Sequence, residues 1–372
     1  MQIKKIIVSL AVLAALPCAA AGKHHTPRKV ATMKTPADYV NPFVGTDGFG
    51  NVYPGAQLPF GGIQISPDTD EHYYDCASGY KWNRASIQGF SLTHLSGTGI
   101  PDLGDFLFMP GTGTAKLSPG TDEAPDSGYR SRFSHNDETA QPGYYAVRLT
   151  DYDVKAEMTA GMRSGMLRFT YPKSDSAFVL IDLNHTLWQK CAWANLRVEN
   201  DSTITGYKLV KGWGPERHIY FRAVFSKPFT DFMIYQNQKP VVYNTSRFRS
   251  NREAWGEGLM FTARFGTDDG EQITVRTAIS ATGTDGAAVN MQELEGKTFD
   301  GVRREAYDRW NRELSRYVIE GSETQKRTFY TSAYHAALCP FVYDDADGKY
   351  LGLDKNVERE QGFTNLSVFS LW

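Results

Sequence analysis

Residues 143–183 read GYYAVRLTDYDVKAEMTAGMRSGMLRFTYPKSDSAFVLIDL, and this stretch decides the fold class. It holds four runs, GYYAVRL (143–149), VKAEMTA (154–160), MLRFTY (166–171) and AFVLIDL (177–183), separated by Asp, Gly, Ser and Pro. Apolar and polar residues alternating at a period of two put one face of an extended chain on a core, and the breaks between runs are turn chemistry. The pattern continues in IYFRAVF (219–225), GLMFTARF (258–265) and ITVRTAIS (273–280). Many short strands at this spacing predict a mainly β fold, a large sandwich of antiparallel sheets.

Near residue 300 the period changes. In DGVRREAYDRWNRELSRYVIEG, Val302, Ala306, Trp310, Leu314 and Val318 recur at helical spacing, with Arg303, Arg304, Asp308, Arg312 and Glu313 between them. Ser322 with Gln325 fits a capping box opening a second helix, ETQKRTFYTSAYHAALC, which Pro340 stops. The chain closes on SVFSLW, an apolar end that reads as the middle of a longer protein.

The remaining composition removes several function classes. Forty basic side chains against forty-two acidic ones lack the electrostatic footprint of a nucleic-acid binder. Lys4-Lys5, an apolar run from Ile6 to Leu16 and Ala19-Ala20-Ala21 read as a secretory signal over residues 1–22, followed by a polar tether over 23–36. No other segment is apolar for long enough to span a membrane, so a periplasmic, surface-bound or secreted protein is expected. Cys76, Cys191 and Cys339 show neither a disulfide framework nor metal-ligand spacing. Twenty Tyr, 21 Phe and seven Trp supply rings for a β-core, and some could stack on the C–H faces of sugars.

Two glycine-rich stretches carry the candidate chemistry. NPFVGTDGFGNVYPGAQLPFGG (41–62) contains Gly48-Phe49-Gly50 but no GxxxxGK[ST] phosphate loop. SLTHLSGTGIPDLGDFLFMP (91–110) places His94 and Ser96 beside Gly97 and Gly99, without the glycine two before serine that a nucleophile elbow needs. His94 is read either as a loop-fixing imidazole or as a contact to a substrate hydroxyl. YDDADGKY (343–350) imitates a calcium loop but fails at its first and last ligand positions, and is read as an Asp-Gly turn.

Taken in order, NPFVGTDGFGNVYPGAQLPFGGIQISPDT, GFSLTHLSGTG, SRFSHNDETAQPGYYAVRL, FSKPF and FTNLSVFSLW resemble the N-terminal half of the family-92 glycoside hydrolases, calcium-dependent exo-acting α-mannosidases, from about residue 39 to the end. The resemblance implies a galactose mutarotase-like β-sandwich over 37–298, a helical linker over 299–335 and the beginning of a truncated (α/α)6 catalytic barrel over 336–372. It also implies inverting hydrolysis of terminal α-1,2 or α-1,3 mannosyl linkages in a mannose-containing glycan. Inversion needs an acid and a base with carboxyls about 6.5–9.5 Å apart. In the family both carboxylates, and most calcium ligands, come from the barrel, so no residue here is assigned as catalytic or metal-binding and the chain alone is expected to be inactive. Helices separated from the rest of a barrel are expected to expose an apolar stripe.

What the resemblance assigns to this half is pocket wall, formed by Gly48-Phe49-Gly50 and by Asp75-Cys76-Ala77-Ser78-Gly79-Tyr80-Lys81-Trp82. Gly48, Phe49, Asp75, Cys76, Trp82 and His94 are the candidate substrate-binding residues, with Trp82 placed to stack on the sugar beyond the scissile bond. Many members read Cys-Ser-Gly-Tyr where this chain inserts Ala77 between Cys76 and Ser78. A stand-alone carbohydrate-binding sandwich, and a sandwich whose ligand is not a sugar, are the rival readings.

Overall fold

The alternation in 143–183 becomes four consecutive strands, Tyr144–Leu149, Val154–Ala160, Ser164–Tyr171 and Ser174–Asp182. The first three pair antiparallel, with Tyr145 opposite Met158 and Met158 opposite Leu167. The fourth crosses to the facing sheet, between Leu107–Thr112 and Leu259–Thr267. The computed structural model describes residues 34–70, 74–243, 251–367 and 369. The expected signal peptide and all but the end of the tether lie outside the described residues.

Among the described residues the strands form two large antiparallel sheets. The seven-stranded sheet runs Ser66–Asp68, Gly89–Ser91, Leu107–Thr112, Ser174–Asp182, Leu259–Thr267, Asp231–Gln236 and Lys239–Pro240. The nine-stranded sheet runs Glu253–Gly256, Lys190–Asn200, Thr203–Lys211, Arg217–Phe225, Glu271–Ser280, Ser164–Tyr171, Val154–Ala160, Tyr144–Leu149 and Thr139–Gln141. Their inner faces share a core that includes Phe90, Phe106, Phe108, Phe169, Phe178, Phe221 and Phe261. Much of the aromatic load fills cores. Phe106–Met109, which closes the 91–110 stretch, enters this core as expected.

Three helices follow the last sandwich strand. Helix α1, Thr284–Met291, is one the alternation pattern did not announce, and it packs on the strands Glu271–Ser280 and Arg217–Phe225. Helix α2, Phe299–Leu314, buries Phe299, Val302, Ala306, Trp310 and Leu314, the anticipated stripe with one correction. Val318 lies past the helix end and is 89% exposed. Helix α3, Glu323–Ala336, opens with the anticipated Ser322–Gln325 capping box.

The apolar faces of α2 and α3 are not exposed, contrary to expectation. Trp310, Leu314, Tyr330 and Tyr334 pack with Ala37, Tyr53 and Leu338, and Trp310 Nε1–H donates to the Gln57 carbonyl at 2.7 Å. The segment entering the sandwich is thus the helices' partner. Gly143 permits the approach of α2: a Cβ there would lie 2.6 Å from the Ala306 methyl, and its φ of +77° is left-handed. Residues 341–367 continue as short paired strands, Phe341–Val342 with Leu366–Ser367 and Lys349–Leu351 with Val357–Arg359.

Candidate functional site

The wall loops meet through one side chain that the sequence reading did not single out. Asn51, at φ +49°, donates from Nδ2 to the Tyr74 carbonyl at 3.1 Å and accepts from Ala77 N–H at 3.3 Å, while its own carbonyl accepts from Gly97 N–H at 2.7 Å. Asparagine tolerates this backbone region better than most residues. Trp82 N–H adds a bond to the Thr46 carbonyl at 3.0 Å. Three stretches remote in sequence, 45–51, 74–82 and 94–99, therefore form one end of the sandwich.

The candidate residues take different places on that end. Phe49 is 83% exposed, and the Gly48 carbonyl accepts from the Lys81 ammonium, which lies 5.8 Å from the Phe49 ring centre. Trp82 is half-buried, stacked on His135 with ring centres 3.7 Å apart and 6° between planes, and met edge-on by Phe43. One face of its indole is already taken. The Asp75 side chain lies outside the described residues.

Cys76 and His94 lie beneath the wall, not in it. The Cys76 thiol is buried, faces the carbonyls of Asp70 and Gly79 at 3.3 and 3.5 Å, and is pushed far up by burial. It is an inert packing group. His94 is 1% exposed, with Nδ1 2.8 Å from the Gln64 carbonyl and Nε2 2.8 Å from Asp68 Oδ1. Its ring cannot reach a ligand in this arrangement, which corrects its assignment as a substrate contact in favour of the loop-fixing reading.

Asp68 is the centre of that foundation. Its second oxygen lies 2.9 Å from His185 Nε2, so one buried carboxylate joins two imidazoles from distant loops. Burial alone would raise its pKa, but His94 and His185 outweigh burial and hold it well below the usual carboxylate range. Gly79 is required alongside: its φ is +84° and a Cβ would lie 2.0 Å from Asp68 Oδ1. A second buried cluster sits behind the 91–110 stretch. Asp105 faces Arg217 at 2.5 and 3.1 Å and Lys208 at 3.3 Å, and accepts from the Thr93 hydroxyl at 2.8 Å. Burial raises this carboxylate too, and the two cations bring it down.

Asp68, Asp102, Asp105, Glu138, Glu157, Asp182, Asp344 and Asp345 are the buried acids among the described residues. Each is committed to protein donors. Glu138 accepts from Tyr80, Tyr145 and His135. Asp182 accepts from Tyr129, Asn184 N–H and His185 N–H. Asp345 accepts from Ser280, Thr282 and Asn290, and Asp344 pairs with Arg163. Glu157 pairs with Arg168, and Asp102 accepts from Leu103 and Trp213 N–H. Calcium wants six to eight converging oxygens. The described residues contain no group of three or more His, Cys, Asp or Glu poised for a metal, and these committed carboxylates do not fit a calcium cradle. The 343–350 stretch is the expected turn, with Gly348 N–H donating to the Asp345 carbonyl at 2.8 Å.

Comparison with known proteins adds the family. The glycosyl hydrolase family 92 N-terminal domain matches residues 39–280, and the glycosyl hydrolase family 92 catalytic domain matches residues 286–372. A family GH92 α-mannosidase from Bacteroides thetaiotaomicron, solved in complex with mannoimidazole, is 66% identical with a TM-score of 0.89, over 91% of this chain and 45% of its own. The GH92 glycosyl hydrolase ccman5 is 26% identical with a TM-score of 0.78, over 89% of this chain and 45% of its own. A protein of Arthroderma benhamiae described as an uncharacterized secreted glycosidase is 25% identical over 346 residues, 82% of this chain and 42% of its own length. The chain thus spans less than half the length of these relatives. Matched over both domains of the family, the chain belongs to glycosyl hydrolase family 92.

Proposed function

We propose that this chain is the N-terminal portion of an exported, exo-acting α-mannosidase that removes terminal mannose from a mannose-rich glycan with inversion. The observation that carries the reading is the 66% identity to an α-mannosidase over 91% of this chain. The apolar run at 6–16 and the relative described as secreted support export.

In this reading the sandwich supplies a wall and not the chemistry. Inverting hydrolysis needs an acid and a base carboxyl about 6.5–9.5 Å apart on opposite sides of the sugar. Both catalytic groups, and the calcium ligands, are assigned on the family resemblance to the portion of the relatives that lies beyond this chain's match. Exposed Phe49 and the remaining surface of Trp82 are the wall's aromatic contacts to the sugar. Linkage preference, α-1,2 or α-1,3, follows from how this wall receives the sugar on the far side of the cleaved bond.

A fusion of this chain to the remaining portion of the 66%-identical α-mannosidase tests the reading. The fusion should hydrolyse α-mannosides and release mannose of inverted anomeric configuration, while the chain alone should not. A folded fusion with no hydrolysis would sink the proposal. In an active fusion, Trp82→Ala should change the ratio of α-1,2 to α-1,3 cleavage; an unchanged ratio would make Trp82 a packing residue.

A further inference from the structure

One side chain holds Trp82 at two points, and that side chain can lose a proton. His135 lies face to face with the indole, ring centres 3.7 Å apart and planes 6° apart, and its Nε2 lies 2.8 Å from the Trp82 carbonyl. Its other nitrogen, Nδ1, lies 2.7 Å from Glu138 Oε2. The local backbone accounts for that pair. Residues 135–137 form a 3-10 turn capped by the Ser134 hydroxyl, which accepts from Asn136 N–H at 3.2 Å, and in such a turn side chains three positions apart lie above one another. Phe133 meets the imidazole edge-on, with ring centres 5.1 Å apart.

Both ring nitrogens of His135 thus face oxygens. A neutral imidazole has one N–H and one lone pair, so it donates to only one of them. The imidazolium donates to both. Glu138 supplies the counter-charge: its side chain is fully buried, and it also accepts from the Tyr145 hydroxyl at 2.5 Å and the Tyr80 hydroxyl at 3.0 Å. Burial raises this carboxyl, while its donors Tyr145, His135 and Tyr80 favour the ionised form. A buried carboxylate is tolerated where a hydrogen-bonded cation pairs with it. A cation stacked on an indole face is favourable as well, so one proton serves both the pair and the stack.

The titratable groups that face the ring among the described residues are Glu138 on its own turn and, through Glu138, Tyr80 from the wall stretch and Tyr145 from the strand Tyr144–Leu149. The imidazole keeps 32% of its side-chain surface exposed, so it exchanges protons with solvent. Loss of one proton turns a lone pair toward either the Glu138 carboxylate or the Trp82 carbonyl, and it removes the charge from the stack.

We propose that His135 is a positioning residue for the sugar contact made by Trp82, holding the indole in place while doubly protonated and releasing it when one proton leaves. Sugar binding at the wall therefore weakens as pH rises through the window of histidine charge change, about pH 5–8. That Trp82 meets sugar rests on the mannosidase reading; the clamp on Trp82 rests on the geometry alone.

NMR of the full chain labelled with nitrogen-15 at histidine and tryptophan reads the clamp without hydrolysis, with His135→Gln and Trp82→Phe assigning the two signals. As pH rises across that window, the Trp82 indole resonance should shift with the same midpoint as the His135 ring nitrogens. His135→Arg supplies a planar cation that does not titrate and should hold the indole signal constant. A Trp82 signal that ignores the His135 titration, or that still titrates in His135→Arg, would overturn the clamp. Both replacements still offer Glu138 an N–H donor, so neither strands the buried carboxylate. In an active fusion, KM for α-mannosides should be about tenfold higher in His135→Gln than in His135→Arg, the factor that 1.4 kcal/mol represents, with kcat little changed. The parent's KM should move from the arginine variant's value at the acid end to the glutamine variant's at the alkaline end. Equal KM in the two variants would overturn the positioning role. A fusion that hydrolyses mannosides while Trp82 ignores His135 sinks the clamp and leaves the mannosidase reading standing. With a fusion that does not hydrolyse them the mannosidase reading falls, and the NMR titration by itself decides the clamp.

Discussion

Asp68 shows how much of the candidate site depends on residues no motif marks. It follows Ile65-Ser66-Pro67 in an extended stretch, and its partners stand 26 and 117 positions away. Asp68→Ala leaves two buried imidazoles without their acceptor, and removing one partner of a buried ion pair typically costs about 3–5 kcal/mol. Urea unfolding should show a loss of that size, and a change within error would mean the histidines find other partners. The neighbouring thiol makes a milder point. Cys76 invites a catalytic or binding role by its place in a family motif, yet burial drives its pKa up and removes the thiolate. Cys76 and the buried Cys191 should resist alkylation in the folded chain and label on unfolding, as mass spectrometry of the modified peptides would show.

At the scale of elements, periodicity was a good guide wherever one face is apolar and the other wet. In the strand Arg217–Phe225, Ile219, Phe221, Ala223 and Phe225 of the run IYFRAVF are buried at alternate positions, and α2 buries the predicted stripe up to Leu314. Helix α1 escaped because its sequence, TDGAAVNM, has no pronounced apolar face. Asn290 in it donates to the Ile279 carbonyl and to Asp345, so tertiary hydrogen bonds hold this helix. Helix α2 is held differently. Trp310 is fully buried and makes the 2.7 Å bond to the Gln57 carbonyl, so Trp310→Ala both opens a cavity and orphans an acceptor. A cost of roughly 3–5 kcal/mol is expected, read as a lowered denaturation midpoint. A loss under about 1 kcal/mol would mean that α2 docks independently of its tryptophan.

At the scale of the whole molecule each buried titratable group contributes a pH dependence whose sign follows from the direction of its shift. Asp68 and Asp105 have pKa values depressed on folding, so the stability they contribute is present above the unfolded value of about 3.9 and is lost as pH falls from there through their depressed folded values. His335 acts at higher pH. Burial lowers it from 6.5 to about 4, so between those values the unfolded chain binds the proton that the folded chain refuses. His335 therefore contributes a decline in stability as pH falls from about 6.5 to about 4, opposed by Asp102, Glu138, Asp182 and Asp345, whose carboxyls burial raises. His335→Gln should flatten that part of the curve while leaving the steeper acid limb, in denaturant titrations across the window. An unaltered slope would show that His335 is not the group responsible.

The sequence by itself determined the fold class, the family and the stretches proposed as the wall. Those depend on local periodicity, turn chemistry and ordered motifs, which one strand or one loop carries alone. Only the tertiary structure decided which wall residues face outward. Phe49 and His94 belong to equally glycine-rich stretches, yet one ring is exposed and the other is sealed against Asp68. Burial of a loop residue is set by what the other loops place over it, and no spacing rule ties 49 or 94 to 68 and 185.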